Sequence, residues 1–151
     1  MENVTQGLTS ISNNMQNMSV SARKVSDGLF QKSLQDLIKG IRSARGDVSE
    51  YISKAIAESK TELKSTDTFM KAEAIRKLTY LQMQGYNISW AAFSIVEVMS
   101  QPRFAHRRIG YLAANQSFTE QTDVLLLTTN LFKKEFTSRD ANQYDIGSAI
   151  N

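Results

Sequence analysis

The 151 residues carry 41% hydrophobic and 22% charged side chains, ordinary proportions for a soluble domain able to bury one modest core. No cysteine is present, which excludes a disulfide framework and thiolate metal sites. The net charge of +3 is unevenly placed: between Arg76 and Phe118 five basic residues (Arg76, Lys77, Arg103, Arg107, Arg108) stand against Glu97 alone, so that stretch carries +4.

Residues 1–28 are rich in Ser, Asn, Gln and Met and read as a disordered tail, with order beginning near Asp27. The start has no apolar h-region, and Glu2 excludes N-myristoylation. No apolar run approaches the roughly 18 residues of a membrane span, so membrane contact is expected to be peripheral.

Phe30, Leu34, Leu37, Ile38 and Ile41 mark one face of a first helix, which Gly46 breaks. Asp47 with Glu50 three residues on resembles a capping box for a second helix through Val48, Tyr51, Ile52, Ala55, Ile56 and Leu63. Asp67 or Thr68 opens a third, and Gly85 is placed to end it. Ser89 caps a short fourth helix to Met99, and Pro102 starts a fifth that runs to Phe118. Thr119 caps a sixth, with Val124, Leu127, Leu131 and Phe136 on its apolar side. Beyond Ser138 the pattern restarts at Tyr144, Ile146 and Ile150. The fold class expected is all-α: three antiparallel pairs and a cut fourth, over residues 29–151.

A repeat supports that reading. Arg76-Lys77-Leu78-Thr79-Tyr80-Leu81 returns 31 residues later as Arg107-Arg108-Ile109-Gly110-Tyr111-Leu112. An offset in the 30s is the mark of stacked helical pairs of the HEAT or armadillo kind, where one repeat cannot bury its apolar face without the next. Such an α-solenoid binds along its surface. Basic residues before an apolar stripe also simply keep a helix soluble, and Tyr80 and Tyr111 read most simply as core.

The material for catalysis is thin. The single histidine, His106, sits among Arg103, Arg107 and Arg108 with no carboxylate close in sequence to orient it. The seven glycines form neither a dinucleotide loop nor a phosphate loop. The carboxylates are scattered and read as solvated surface. A non-enzyme without a cofactor is expected. The basic strip suits an acidic partner or anionic headgroups but is too thin for a strong nucleic-acid assignment.

In the fourth helix Ile88, Ala92, Ile95, Val96 and Met99 share one face, while Trp90 and Phe93 fall beside Ser94 and Glu97. Two readings fit the aromatics: anchors of a partner surface, or packing against a neighbouring pair. Geometry alone favours the second.

Several segments strongly resemble the adaptin family, and within it the delta-adaptins of the third heterotetrameric adaptor complex. They include Leu34-Gln35-Asp36-Leu37-Ile38-Lys39-Gly40-Ile41-Arg42, Gly85-Tyr86-Asn87-Ile88-Ser89-Trp90-Ala91-Ala92-Phe93, Arg108-Ile109-Gly110-Tyr111-Leu112 and Leu127-Thr128-Thr129-Asn130. The resemblance runs from Leu29 to the C-terminus and implies the N-terminal segment of a long α-solenoid trunk. It implies a cytoplasmic coat component, peripheral on Golgi, endosomal and coated-vesicle membranes, that sorts cargo toward lysosomes or related organelles. Sigma, beta and mu subunits and an Arf-type GTPase are the implied partners.

Site residues follow from the same resemblance. Arg42 matches the position that helps receive the acidic residue of dileucine cargo signals, together with the sigma subunit. Phe93 and Val96, with Trp90 beside them, match the surface presented to the GTPase. Of the lysine cluster that binds phosphoinositide in the alpha relative, Lys71 and Lys77 remain. They imply at most a weak headgroup or acidic-surface contact, joined by Arg103, Arg107 and Arg108. The alternative left open is a free-standing helical-repeat module that holds an acidic peptide or nucleic acid.

Overall fold

In the computed structural model, which describes residues 32–44, 46–137 and 143–150, no strand occurs among the described residues. The expected tail and Phe30 lie outside them. Helix α1 spans Leu34–Ser43, α2 Val48–Glu62, α3 Thr68–Met83, α4 Ala92–Met99, α5 Phe104–Ser117, α6 Leu125–Thr137 and α7 Gln143–Ile150.

Local chemistry explains the ends. Ser33 opens α1: its Oγ accepts the Asp36 N–H at 3.3 Å, and the Asp36 carboxylate accepts the Ser33 N–H at 3.0 Å. This is a capping box with aspartate in place of the usual glutamate or glutamine. The Ser33 hydroxyl also donates to the Asp36 carboxylate at 2.7 Å, and that bond first, with the one from the Ser33 N–H, holds the Asp36 carboxyl below its ordinary range. Asp47 caps α2 as expected, but its carboxylate accepts the Ser49 N–H at 2.8 Å, so the box with Glu50 does not form. Asp67 caps α3 by accepting the Phe69 N–H at 2.9 Å.

Gly85 ends α3 at φ 95°, where a side chain would be strained. The Tyr86 N–H donates to Leu81 O and the Gly85 N–H to Gln82 O, the two bonds of a Schellman motif.

Three expected helix starts move. Asn87, not Ser89, closes the turn before α4, its Oδ1 accepting the Ser89 N–H at 2.8 Å. Ser89 is the first residue of a 3₁₀ turn, Ser89–Ala91, that leads into α4. Pro102 lies outside α5, whose N-cap position is Arg103. Thr119 and Thr122 close a turn on each other, and α6 begins later, at Leu125.

Helices α1, α3, α5 and α7 neighbour one another in that order, and α4 packs on α6 in a second layer. This is the two-layer arrangement of an α-solenoid. Helix α3 is buried on several sides through Ala72, Ala74, Ile75, Leu78 and Leu81, against Ile95, Val98 and Met99 of α4. A helix enclosed this way has no single apolar stripe. Gly110 lets α5 press onto α4: a Cβ there would lie 2.6 Å from Met99 N.

The two copies of the repeat are not equivalent in environment. Lys77 and Leu81 are buried, whereas their counterparts Arg108 and Leu112 are exposed. Thr79 and Gly110, the spacers, are buried in both.

Candidate functional site: three surfaces on a helical slab

The basic residues divide between charges paired across helix interfaces and charges left exposed. Lys77 is 4% exposed, and its Nζ lies 2.6 Å from the Glu62 carboxylate of α2. Lys71 donates to Glu97 at 2.5 Å and joins α3 to α4. Arg107 lies 3.6 Å from Glu135 and joins α5 to α6. Of the residues expected at a headgroup or acidic-surface contact, Lys71, Lys77 and Arg107 each stand beside a carboxylate on another helix. The reading of the carboxylates as solvated surface fails at Glu62 and Glu135, whose side chains are mostly covered, while Glu97 keeps part of its carboxylate in water. A charge taken from water requires a partner, and the helix-to-helix register supplies it.

Arg103 and Arg108 remain exposed. With Arg76 they line a groove of about 550 Å³ between α3 and α5, whose apolar part includes Phe69, Phe104 and Leu112. Arg76 bonds Glu73 one turn earlier on α3. His106, also at this groove, is buried with its ring 6.3 Å from that of Phe69.

The aromatics before and within α4 face outward. Trp90 is 43% exposed and Phe93 66%, so Phe93 does not pack against a neighbouring pair as geometry alone favoured, and Trp90 does so only in part. Val96 is 7% exposed and lies inside, leaving Trp90 and Phe93 as the presented surface. Lys60 of α2 sets its Nζ 4.6 Å from the Trp90 ring centroid, a cation–π contact that steadies the indole. The opposite side of α4 is anchored by buried Ile95, Val98 and Met99.

Arg42 stands exposed in the last turn of α1. It is on the layer of α3 and α5 and shares no element with the α4 aromatics.

Sequence reasoning missed Lys60, Glu62, Glu135, Phe69 and Phe104. Each acts across a helix interface, and a single sequence carries no signal of which turn meets which. The one available hint was the repeat, and it aligns Arg76 with Arg107, whereas the groove joins Arg76 to Arg103 and Arg108. Among the described residues no group of His, Asp and Glu could hold a metal ion, and no helix is long and apolar enough to cross a membrane.

Residues 49–151 match the family described as the adaptin N terminal region. The chain is 55% identical over 124 residues to the AP-3 complex subunit delta-1 of Bos taurus, covering 82% of this chain and 10% of that protein. It is 48% identical over 134 residues to the AP-3 complex subunit delta of Arabidopsis thaliana, covering 88% and 15%. The AP-3 complex subunit delta of Saccharomyces cerevisiae is 45% identical over 109 residues, covering 70% and 12%. The chain thus spans between a tenth and a seventh of the length of these relatives. Relatives that are adaptor-complex subunits do not favour the free-standing module. With the helical fold and the matched residues together, the chain belongs to the adaptin family, in the region that the family calls N-terminal.

Proposed function

We propose that this chain serves as the N-terminal trunk segment of a delta-type large subunit in a vesicle-coat adaptor complex. It is a non-catalytic scaffold for cargo sorting from Golgi and endosomes toward lysosome-related organelles. Sigma, beta and mu subunits are its partners, and it works peripherally on the membrane from the cytoplasmic side. The observation that carries the reading is the outward pair Trp90, on the 3₁₀ turn, and Phe93, on the helix that follows it and whose other face is buried. Two large aromatics presented side by side at the start of a packed helix are suited to anchor a protein partner. An Arf-type GTPase is the partner we assign to them. Arg42, exposed on a different helix, receives the acidic residue of a dileucine signal once the sigma subunit is in place, because a guanidinium grips a carboxylate bidentately.

The test is Phe93→Asp and Arg42→Glu, each in the assembled complex. Phe93 is two-thirds exposed, so the aspartate reaches water and stability changes by less than about 1 kcal/mol. Recruitment by the GTP-bound GTPase is lost nevertheless. Arg42→Glu weakens an acidic dileucine peptide about tenfold to a hundredfold, the worth of one charge-assisted hydrogen bond. A Phe93→Asp complex that folds and still binds the GTPase removes α4 from that contact. Unchanged peptide affinity removes Arg42.

A further inference from the structure

The groove between α3 and α5 takes no part in the function proposed above, and its chemistry narrows what fits it. Phe69, Phe104 and Leu112 are exposed along it, with Arg76, Arg103 and Arg108 around them. Glu73 bonds Arg76, so three guanidiniums stand against one carboxylate and the surplus falls to Arg103 and Arg108. We propose that this groove binds an acidic segment of a partner protein. One aromatic or aliphatic side chain of the segment sits among Phe69, Phe104 and Leu112, and flanking carboxylates meet Arg103 and Arg108.

Charge complementarity and shape both favour that occupant. Arginine forks match carboxylates, and their planar faces tolerate apolar neighbours better than an ammonium does. Exposed rings beside the cations gain nothing from a purely ionic ligand, whereas an apolar side chain removes them from water. A plane of headgroups meets the arginines but brings no apolar side chain to cover Phe69, Phe104 and Leu112 in the groove of about 550 Å³. A peptide does. The proposal involves neither Arg42 nor the α4 aromatics, so it stands or fails separately from them.

Fluorescence anisotropy with the 151-residue chain tests it. The probe is a labelled synthetic peptide with one phenylalanine flanked by aspartates and glutamates. Arg103→Glu combined with Arg108→Glu is expected to weaken binding by about tenfold or more, as is serine in place of the peptide's phenylalanine. Both arginines are exposed, so the melting temperature of the double variant should match the parent. Lys54→Glu, an exposed charge reversal on α2, should leave binding in place. Equal affinity for the serine peptide, no effect of the double substitution, or an equal loss from Lys54→Glu would each overturn the proposal. So would phosphatidylserine vesicles that bind the parent and not the double variant while the peptide shows no saturable binding, since the face would then belong to a membrane.

Discussion

Gly110→Ala separates close helix packing from helix propensity, because the two act in opposite directions. In an unconstrained helix interior, alanine for glycine stabilises by about 0.5–1 kcal/mol. At Gly110 the new Cβ would lie 2.6 Å from Met99 N and 2.9 Å from Met99 Cα. Both are backbone atoms and cannot rotate away. Ordinary contact begins near 3.4 Å, so α5 must retreat from α4 by about 0.8 Å. A gap of that size forfeits roughly a quarter to a half of each dispersion contact along the interface of Ile95, Val98 and Met99 with Tyr111 and Ala113. Overpacking of this kind costs about 1–3 kcal/mol and outweighs the propensity gain. The net expectation is a melting temperature lower by about 2–6 °C at this chain length. Gly147→Ala is the internal control: it lies in α7 with nothing within 4 Å of the new methyl. That variant should melt at the parent temperature or a few degrees above it. Thermal unfolding followed by circular dichroism reads both. If Gly110→Ala stabilises as Gly147→Ala does, the close approach of α4 and α5 is not real.

Lys77→Met should destabilise by about 3–5 kcal/mol, since it strands the mostly buried Glu62 carboxylate; adding Glu62→Leu should recover most of that loss in a denaturant double-mutant cycle. Additive losses would show that the two groups do not interact. The pH dependence of α1 follows from Asp36, whose carboxyl is held below its ordinary range by Ser33. A carboxyl depressed by folding contributes stability above the unfolded value of about 3.9, lost as pH falls through the lower folded value. Amide exchange in the first turn of α1 should therefore speed up only in acid, and a carbon-detected titration placing Asp36 at or above ordinary aspartate would remove the capping box.

Local chemistry was legible and cross-helix chemistry was not. Asp47 and Asp67 announce helix starts because a carboxylate satisfies a backbone N–H two residues away, and Gly85 announces a stop because only glycine accepts φ 95° without strain. Ser33 goes unread because its reciprocal partner is Asp36, shorter than the glutamate or glutamine of the usual pattern. Pro102 and Thr119 mislead for a related reason. Both are residues of turns as much as of helix starts, and here each lies in the connection before its helix. The repeat is genuine in spacing, yet spacing does not fix rotation. Helix α3 is enclosed by neighbours on several sides, so Lys77 is drawn inward. Helix α5 leaves one side open, so Arg108 at the equivalent position faces out.

That difference in enclosure decides which charges hold the fold and which are offered to partners. Lys77 is paired because a buried ammonium without a carboxylate would cost several kcal/mol, roughly a third or more of a domain's stability. Arg103 and Arg108 meet no such requirement, since water solvates them on an open face, and so they are available to a ligand. The two roles also support each other. The Lys71–Glu97 pair ties α4 to α3 one turn from Phe93, and Lys60 holds the Trp90 ring from α2. Contacts made for the fold thereby hold the helix that carries Phe93 and give the Trp90 ring a neighbour before any partner arrives, which lowers the entropy lost on docking. The helix behind Trp90 and Phe93 is thus tied to its neighbours in part by charges that a reading of composition would have assigned to solvent.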